Sequence, residues 1–219
     1  MTENLTQDLF HTGLGVYIVV FFGAAFVGAC QLILKKQRPD ITDLAVLGLI
    51  SLIFIPTVIQ LFFWPDLLTW LRRDTAEIVH HLQPWRLLTA VTVQGGAFGG
   101  AVLNLVSLVL LAPICGRLYG GKRMWLCFLI GTIAGELAGL VLLPVGAGNS
   151  VGNFGVAALI LVGAIRYTRG WLRIIAAGIL ALGLFSLTWL DIHGFALAAG
   201  SITAVYLISK RRLLGGVVR

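Results

Sequence analysis

Charge is what this sequence has least of. Only 11% of its 219 residues are Asp, Glu, Lys or Arg, whereas 58% are hydrophobic. A soluble domain of this size could not hide so much apolar surface. Prolines number only six and low-complexity tracts are lacking, which argues against long linkers. The three cysteines do not have the spacing of metal ligands. These shortages exclude a soluble domain and indicate a compact polytopic membrane protein.

The basic residues that are present do not indicate a nucleic-acid partner. The formal net charge is +7, but Lys and Arg lie in short clusters between apolar runs, which is typical of membrane topology rather than of a phosphate-binding stripe. Residues 1–12 contain no Lys or Arg, whereas a cleavable signal peptide begins with positive charge. We therefore predict that the first apolar run is a retained helix.

Seven apolar runs are long enough to cross a bilayer, which takes about 20 residues of α-helix. They predict an all-α polytopic membrane helix bundle whose partner is the lipid bilayer. Gly131, Gly135 and Gly139 follow one face of the fourth run and predict close helix approach there. The seven runs cover residues 13–34, 42–64, 95–116, 124–144, 149–166, 171–189 and 192–209.

The basic residues also set an orientation. If the seven spans alternate, 13 of the 16 Lys and Arg residues fall on one side, and only Arg72, Arg73 and Arg86 fall on the other. An excess of Lys and Arg marks the cytoplasmic side. We predict an outside N-terminus, a cytoplasmic C-terminus and, from the short loops, a bacterial inner membrane. The long connection 65–94 then lies outside, with Trp70 and Trp85 as interfacial anchors.

Two polar residues begin spans on this outer side. Ser150 opens the fifth span and His193 opens the seventh, so topology brings them to nearly the same depth. Small residues at helical spacing, among them Gly152, Gly155 and Gly200, would let the two spans touch backbone to backbone. Serine and histidine would then come within hydrogen-bond reach, about 2.6–3.2 Å, as a nucleophile and its base.

The serine segment resembles that of the rhomboid family of intramembrane serine proteases. The rhomboid serine motif is GxSG, followed by an aromatic residue four positions after the serine. Gly148, Ser150 and Phe154 match it, and Val151 stands in place of the second glycine. A β-branched residue there narrows the space beside the nucleophile.

Three further stretches extend the resemblance over residues 42–209. The rhomboid histidine motif HxxGxxxG is matched by His193, with alanine at its first glycine, and the Trp-Arg pair of the family's first loop is matched within 84–89. The HxxxN motif is matched by Asn104, with Gly100 at the histidine position. The resemblance implies a rhomboid-like domain at 42–219 and an extra N-terminal tail and helix at 1–41.

The resemblance also implies an activity, a serine endopeptidase that cleaves transmembrane substrates near the outer face. Ser150 would attack the scissile carbonyl, and His193 would take its proton and later protonate the leaving amine. Asn104 would help the backbone N–H of Ser150 to bind the oxyanion, and Gln94 is a conjectural replacement for the missing histidine donor. No metal, organic cofactor or oligomeric state is implied. The residues expected to line the substrate site are Gly148, Gly152 and Phe154.

Two acidic residues leave other possibilities open. Asp191 lies two residues before His193, and on a continuous helix it would face elsewhere, so we expect an interfacial or capping acid. Glu136 lies inside the fourth span, and the sequence favours a protonated or hydrogen-bonded packing residue over a proton relay or a water-retention site. The alternatives to a protease are a catalytically inactive rhomboid-like protein that binds transmembrane clients, motivated by Gly100 and Val151, and a small proton-coupled transporter.

Overall fold

The structure is a computed structural model that describes the backbone of residues 2–96 and 98–215 and the side chains of residues 14–96 and 98–209. Within these residues the chain is an all-α polytopic helix bundle, as predicted. Seven helices are long and apolar enough to cross a membrane. They are α1 (Thr2–Leu34), α2 (Leu44–Val58, continued by a π-helical turn at Ile59–Phe63), α6 (Phe98–Tyr119), α7 (Gly121–Leu142), α8 (Ser150–Tyr167), α9 (Trp171–Phe185, continued by a 3-10 turn at Ser186–Trp189) and α10 (Ile192–Gly215).

Helix α8 is the centre of the bundle. In its apolar window 78% of the residues are buried, against 28% in α2 and 22% in α9. It packs against α1, α6, α7, α9 and α10. This helix is rich in Gly and Ala, so neighbouring helices can approach it on every side. Its first residue is Ser150, which therefore begins the most enclosed helix of the described part of the chain.

Glycines set the contacts of α8 with its two closest neighbours. A Cβ atom on Gly200 of α10 would lie 2.8 Å from the Cα of Gly155, and one on Gly131 of α7 would lie 2.9 Å from the same atom. Real side chains do not fit at such distances, so the helices touch backbone to backbone there. The predicted approach of the fifth span to the seventh is confirmed. The predicted approach of the fourth span is confirmed at Gly131, whereas Gly139 faces the side chain of Arg73.

The long connection folds into short elements instead of remaining an open loop. Strands β1 and β2 form an antiparallel pair that joins this connection to the segment before Ser150. Trp70 and Trp85 are 64% and 52% exposed, which leaves both rings free to act as the predicted anchors. The short elements are α3 (Leu67–Leu71), β1 (Arg73–Asp74), α4 (Thr75–His80), α5 (Arg86–Thr89), a 3-10 turn (Ala90–Thr92) and β2 (Val145–Gly146).

Arg86 holds the connection together. Its side chain is buried, and Nη1 donates to the backbone oxygens of Thr69 at 2.8 Å and Arg72 at 3.0 Å. The hydroxyl of Thr89 donates to the backbone oxygen of Leu71 at 2.9 Å. Residues of α5 therefore satisfy the carbonyl groups at the end of α3, which would otherwise lack partners. The connection is a folded cap over one end of the bundle.

Helix α1 is part of the same bundle as the other six spans. It packs against α6, α8 and α9, and the predicted boundary at residues 41–42 falls between α1 and α2. The orientation in the membrane stays a prediction. Of the cations on which it rests, Lys210, Arg211 and Arg212 are described in backbone only, and Arg219 lies outside the described residues.

Candidate active site

Ser150 occupies the first turn of α8, at the point where a tight loop enters the bundle. Gly148 has a φ of 139°, which side chains rarely allow, and its N–H donates to the backbone oxygen of Ala90 at 3.0 Å. Asn149 precedes the helix, but its side chain does not cap it. The first backbone N–H groups of a helix have no intrahelical acceptor. The serine hydroxyl thus lies beside free donors and the positive end of a helix.

His193 meets this serine from the start of α10. The Oγ of Ser150 lies 2.8 Å from Nε2 of His193. The side chain of His193 is 11% exposed, and Phe154 packs beside its ring with 5.2 Å between ring centroids. The two residues predicted to form a nucleophile and base are therefore within hydrogen-bond distance. Phe154 lies one turn below the serine, as its spacing predicted.

Asp191 contacts the other side of the imidazole, so the prediction that it faces elsewhere was wrong. Its Oδ1 lies 2.7 Å from Nδ1 of His193 and accepts the His193 backbone N–H at 3.0 Å. The prediction assumed a continuous helix, but Leu190 has a φ of 54° and α10 begins only at Ile192. Asp191 is therefore the N-cap of α10, which confirms its predicted capping role.

The carboxyl of Asp191 is ionised at neutral pH. Burial raises its pKa, but hydrogen bonds and the nearby charge of His193, together with the hydroxyl of Tyr17, outweigh burial and hold the pKa below its ordinary value of 3.8. A carboxylate in contact with Nδ1 fixes which ring nitrogen carries the proton. Sequence reasoning assigned no such partner to His193.

Tyr17 reaches the site from α1, and no sequence motif pointed to it. Its hydroxyl donates to Oδ2 of Asp191 at 2.8 Å and lies 2.5 Å from Nδ1 of His193. The Tyr17 ring lies 4.2 Å from the His193 ring and meets Phe154 edge-on at 5.4 Å. Three helices thus supply the polar groups around the imidazole. The only available signal was a tyrosine near the N-terminal end of the first span.

A cavity of about 380 Å³ opens beside the serine. Ser150, His193 and Gly148 border it, together with Arg72, Arg73 and Glu136. Gly152 and Phe154, which were also expected to line the substrate site, do not border this cavity. Gly152 faces the ring of Phe128, and Phe154 is completely buried against the aromatic rings of α1.

Arg73 and Glu136 form a buried ion pair in the cavity wall. Nη1 of Arg73 lies 2.5 Å from Oε2 of Glu136, and the two side chains are only 1% and 3% exposed. Nε and Nη2 of Arg73 donate to the backbone oxygen of Leu143. Gly139 and Gly146 leave the space that the guanidinium fills. Glu136 is therefore hydrogen-bonded, as the packing alternative expects, and a role in proton transfer stays a prediction.

Asn104 and Gln94 lie behind Gly148 rather than in the cavity. The Nδ2 of Asn104 donates to Oε1 of Gln94 at 3.0 Å and would lie 2.9 Å from a Cβ on Gly148. The amide nitrogen of Gln94 donates to Oδ1 of Asn149 at 2.9 Å. The same nitrogen also donates to the hydroxyl of Thr57 at 3.4 Å, so both N–H groups of the amide have protein acceptors, contrary to the conjecture that Gln94 replaces an oxyanion donor. Asn153 extends this network to the backbone oxygen of Asn104, and neither Asn149 nor Asn153 was predicted.

Gly100 and Val151 occupy two of the positions where the chain departs from the rhomboid motifs. Apart from the backbone of its own helix, no atom of the described residues lies within 4 Å of a Cβ placed on Gly100, so no described side chain occupies the position of the absent histidine. The side chain of Val151 packs on Gly135, where a Cβ would lie 2.5 Å from its Cγ1. The side chain of Val151 therefore occupies the space that Gly135 leaves on the facing helix.

The arrangement can support acyl transfer. A serine hydroxyl contacts an imidazole, the imidazole contacts a carboxylate, and helical N–H donors lie beside the cavity. Among residues 14–96 and 98–209, no group of three or more His, Cys, Asp and Glu side chains could hold a metal ion. Comparison with protein-family models, curated proteins and solved structures finds no match to this chain.

Proposed function

We propose that this chain is an intramembrane serine endopeptidase of the rhomboid type, acting on transmembrane proteins near the outer face of the bacterial inner membrane. One observation carries the proposal: Oγ of Ser150 lies 2.8 Å from Nε2 of His193 beside a cavity, in a bundle of seven apolar helices. Peptide hydrolysis inside a bilayer needs this pair to be shielded from lipid yet open to a peptide and water.

The first chemical step forms a tetrahedral intermediate. Ser150 attacks the scissile carbonyl carbon while Nε2 of His193 takes the hydroxyl proton. The developing oxyanion is stabilised by the N–H groups of the first turn of α8, including that of Ser150. Asn104 acts indirectly, because it supports the Gly148 loop that aims these groups.

The second step releases the products. His193 gives its proton to the leaving amine, and the peptide bond breaks. The acyl group then remains bound to Ser150 as the acyl-enzyme. A water molecule then attacks the acyl-enzyme while His193 again accepts a proton, and the carboxylic acid product leaves with Ser150 regenerated. Neither step needs a metal or an organic cofactor.

Cleavage of a transmembrane substrate tests the proposal directly. A co-expressed test substrate should be cut by wild type and not by Ser150→Ala or His193→Ala at matched membrane levels. Ser201→Ala is the matched control, because the Ser201 hydroxyl only donates to the backbone oxygen of Leu197, and it should retain full activity. Cleavage that persists in Ser150→Ala would remove the assignment of the nucleophile.

A catalytically inactive, client-binding rhomboid-like protein is the second candidate. The open space at Gly100, where the family places a histidine donor, favours it. One oxyanion donor is typically worth about 10²–10³ in rate. If the chain is a protease that lacks this donor, Gly100→His should increase cleavage, since Asn104 lies one turn further on the same face. If the chain binds clients without cleaving them, client capture should survive Ser150→Ala unchanged.

A further inference from the structure

Both ring nitrogens of His193 have polar partners. Nε2 faces Ser150, and Nδ1 faces Asp191 and Tyr17. Nδ1 of His193 lies 2.7 Å from Oδ1 of Asp191 and 2.5 Å from the hydroxyl of Tyr17. The second carboxylate oxygen of Asp191 accepts the Tyr17 hydroxyl at 2.8 Å. A dyad needs neither residue, so the proposed function leaves this contact set without a role.

We propose that Asp191 and Tyr17 are positioning residues that hold His193 in the tautomer with its proton on Nδ1. The inference rests on the proposed function and deepens it. Because an ionised carboxylate only accepts hydrogen bonds, Nδ1 must donate to Asp191. The unprotonated Nε2 is then directed at the hydroxyl of Ser150, which donates to it. When the serine proton moves to Nε2, the carboxylate stabilises the imidazolium.

Tyr17 orients the carboxylate. Its hydroxyl can donate to Oδ2 of Asp191 while Oδ1 contacts His193, so each carboxylate oxygen has a partner. The Tyr17 ring is fixed by its edge-on contact with Phe154, which in turn packs beside His193. Asp191 is also fixed by accepting the backbone N–H of His193. The carboxylate therefore has little freedom to turn away from Nδ1.

The inference gives the extra N-terminal helix a function. Helix α1 packs against α8 and α9 and delivers Tyr17 to the start of α10. The site is then built from α1, α8 and α10, rather than from two helices of a six-helix core. Loss of α1 would remove a hydrogen-bond donor from the site as well as packing area.

The tautomer of His193 can be measured without any substrate. The chain has four histidines, so ¹⁵N-histidine labelling of the full-length protein, with His193→Gln for assignment, resolves the two ring nitrogens by NMR. We expect the proton on Nδ1 at neutral pH in wild type. The amide introduced by Asp191→Asn can donate to Nδ1, and the proton should then move to Nε2. A wild-type proton on Nε2, or no change in Asp191→Asn, would overturn the inference.

Serine reactivity supplies a second readout that packing alone does not predict. With a fluorophosphonate probe, Asp191→Asn should label Ser150 about 10³-fold more slowly than wild type, because the wrong tautomer blocks the base. In Asp191→Ala the labelling rate should fall only about 10²-fold, because alanine does not favour either tautomer of His193. A purely structural carboxylate predicts the reverse order, since the smaller side chain removes more contacts.

Tyr17→Phe removes one hydroxyl and keeps the ring. We expect about a 10-fold loss of labelling rate, as for a hydrogen bond to a charged group, and no further loss when it is added to Asp191→Ala. Tyr167→Phe, at the opposite end of α8 and half exposed, is the matched control and should label like wild type. Full additivity with Asp191→Ala would mean that Tyr17 acts independently of the carboxylate.

The two readouts separate this inference from the proposed function. A proton on Nδ1 that moves in Asp191→Asn, with no labelling of Ser150 in wild type, would support the positioning and refute the protease. Labelling of Ser150 in wild type with no tautomer change in Asp191→Asn would support the protease and refute the positioning.

Discussion

Gly148 shows how much of the site depends on a single backbone angle. Its φ of 139° turns the chain sharply before Ser150, and Nδ2 of Asn104 lies 2.9 Å from where a Cβ on Gly148 would be. A side chain there would meet both an unfavourable backbone conformation and the Nδ2 of Asn104. The orientation of the first turn of α8 is therefore set two residues before the serine.

We expect Gly148→Ala to reduce the rate of serine labelling by at least about 10-fold. A displacement of the nucleophile by about 1 Å can lower a reaction rate about 10²-fold. Gly170→Ala is the matched control. Gly170 also has a positive φ, of 64°, but apart from its chain neighbours no described atom lies within 4 Å of its Cβ position. It should lower the melting temperature through backbone strain and leave the labelling rate unchanged. Equal labelling by the two variants would show that Gly148 is needed only for folding.

Asp191 should make the stability of the fold sensitive to acid. The charged or titratable groups near His193 are Asp191 and Tyr17 in contact with it, and Arg72, Arg73 and Glu136 across the cavity. Hydrogen bonds hold the pKa of Asp191 below 3.8 against the effect of burial. Asp191 therefore stays ionised above about pH 4, and its contribution to stability is lost only as the pH falls through its lowered pKa.

We expect the melting temperature of wild type to fall as Asp191 is protonated below about pH 4, because the neutral carboxyl loses its charge-assisted contacts with His193 and Tyr17. Asp191→Asn, whose amide does not titrate, should show a smaller decline over the same pH interval. Melting temperatures measured in one detergent from about pH 3 to 7 test this, with Asp66→Asn, at an exposed residue outside the site, as the control. An equal decline in wild type and Asp191→Asn would show that the carboxylate does not stabilise the fold.

Ser150 and His193 were predictable from the sequence, whereas the contacts of Asp191 and Tyr17 with His193 were not, for a physical reason. The order and spacing of apolar runs fix the depth at which a span begins, so two residues at span starts could be paired from topology alone. Asp191 depends on a left-handed residue, Leu190, which stops the preceding turn. Tyr17 depends on which face of α1 meets α8, and an almost uniformly apolar helix carries no such information.

At the scale of elements, the ion pair between Arg73 and Glu136 joins the cap to the bundle. Arg73 belongs to β1 and Glu136 to α7, and β1 also pairs with β2 just before the serine loop. The buried guanidinium of Arg73 therefore connects the cap, α7 and the segment that precedes Ser150. The lengths of the spans were predictable, whereas two-residue strands and helices of four to six residues depend on such tertiary contacts.

Replacing one partner of this ion pair should destabilise the fold more than replacing both partners. Arg73→Met or Glu136→Leu alone leaves a buried charge unpaired, which typically costs about 3–5 kcal/mol. The double variant should recover much of that loss, because a well-packed apolar pair can replace a buried ion pair. Thermal unfolding in one detergent compares the four forms. Additive losses in the double variant would show that the two charges do not stabilise each other.

At the scale of the whole molecule, the distance between serine and histidine depends on how closely α8 and α10 approach. The two helices touch at Gly155 and Gly200, well below the site. Close-packed interiors transmit displacement because they have few voids to absorb it. A change at this contact should therefore be felt at the hydrogen bond between Ser150 and His193, although neither glycine borders the cavity.

Gly200→Ala tests that coupling. Its Cβ would lie 2.8 Å from the Cα of Gly155 and 3.1 Å from the Cβ of Ala158, so the helices must separate, at a cost of about 1–3 kcal/mol. Gly178→Ala in α9 is the matched control. Within the described part of the chain, and apart from the backbone of α9, no atom lies within 4 Å of its Cβ position, and alanine favours the helix. We expect Gly200→Ala to lower both the melting temperature and the labelling rate of Ser150, and Gly178→Ala to lower neither. A Gly200→Ala variant that melts earlier but labels Ser150 at the wild-type rate would show that the dyad is held locally by Asp191 and Tyr17 rather than by the approach of the two helices.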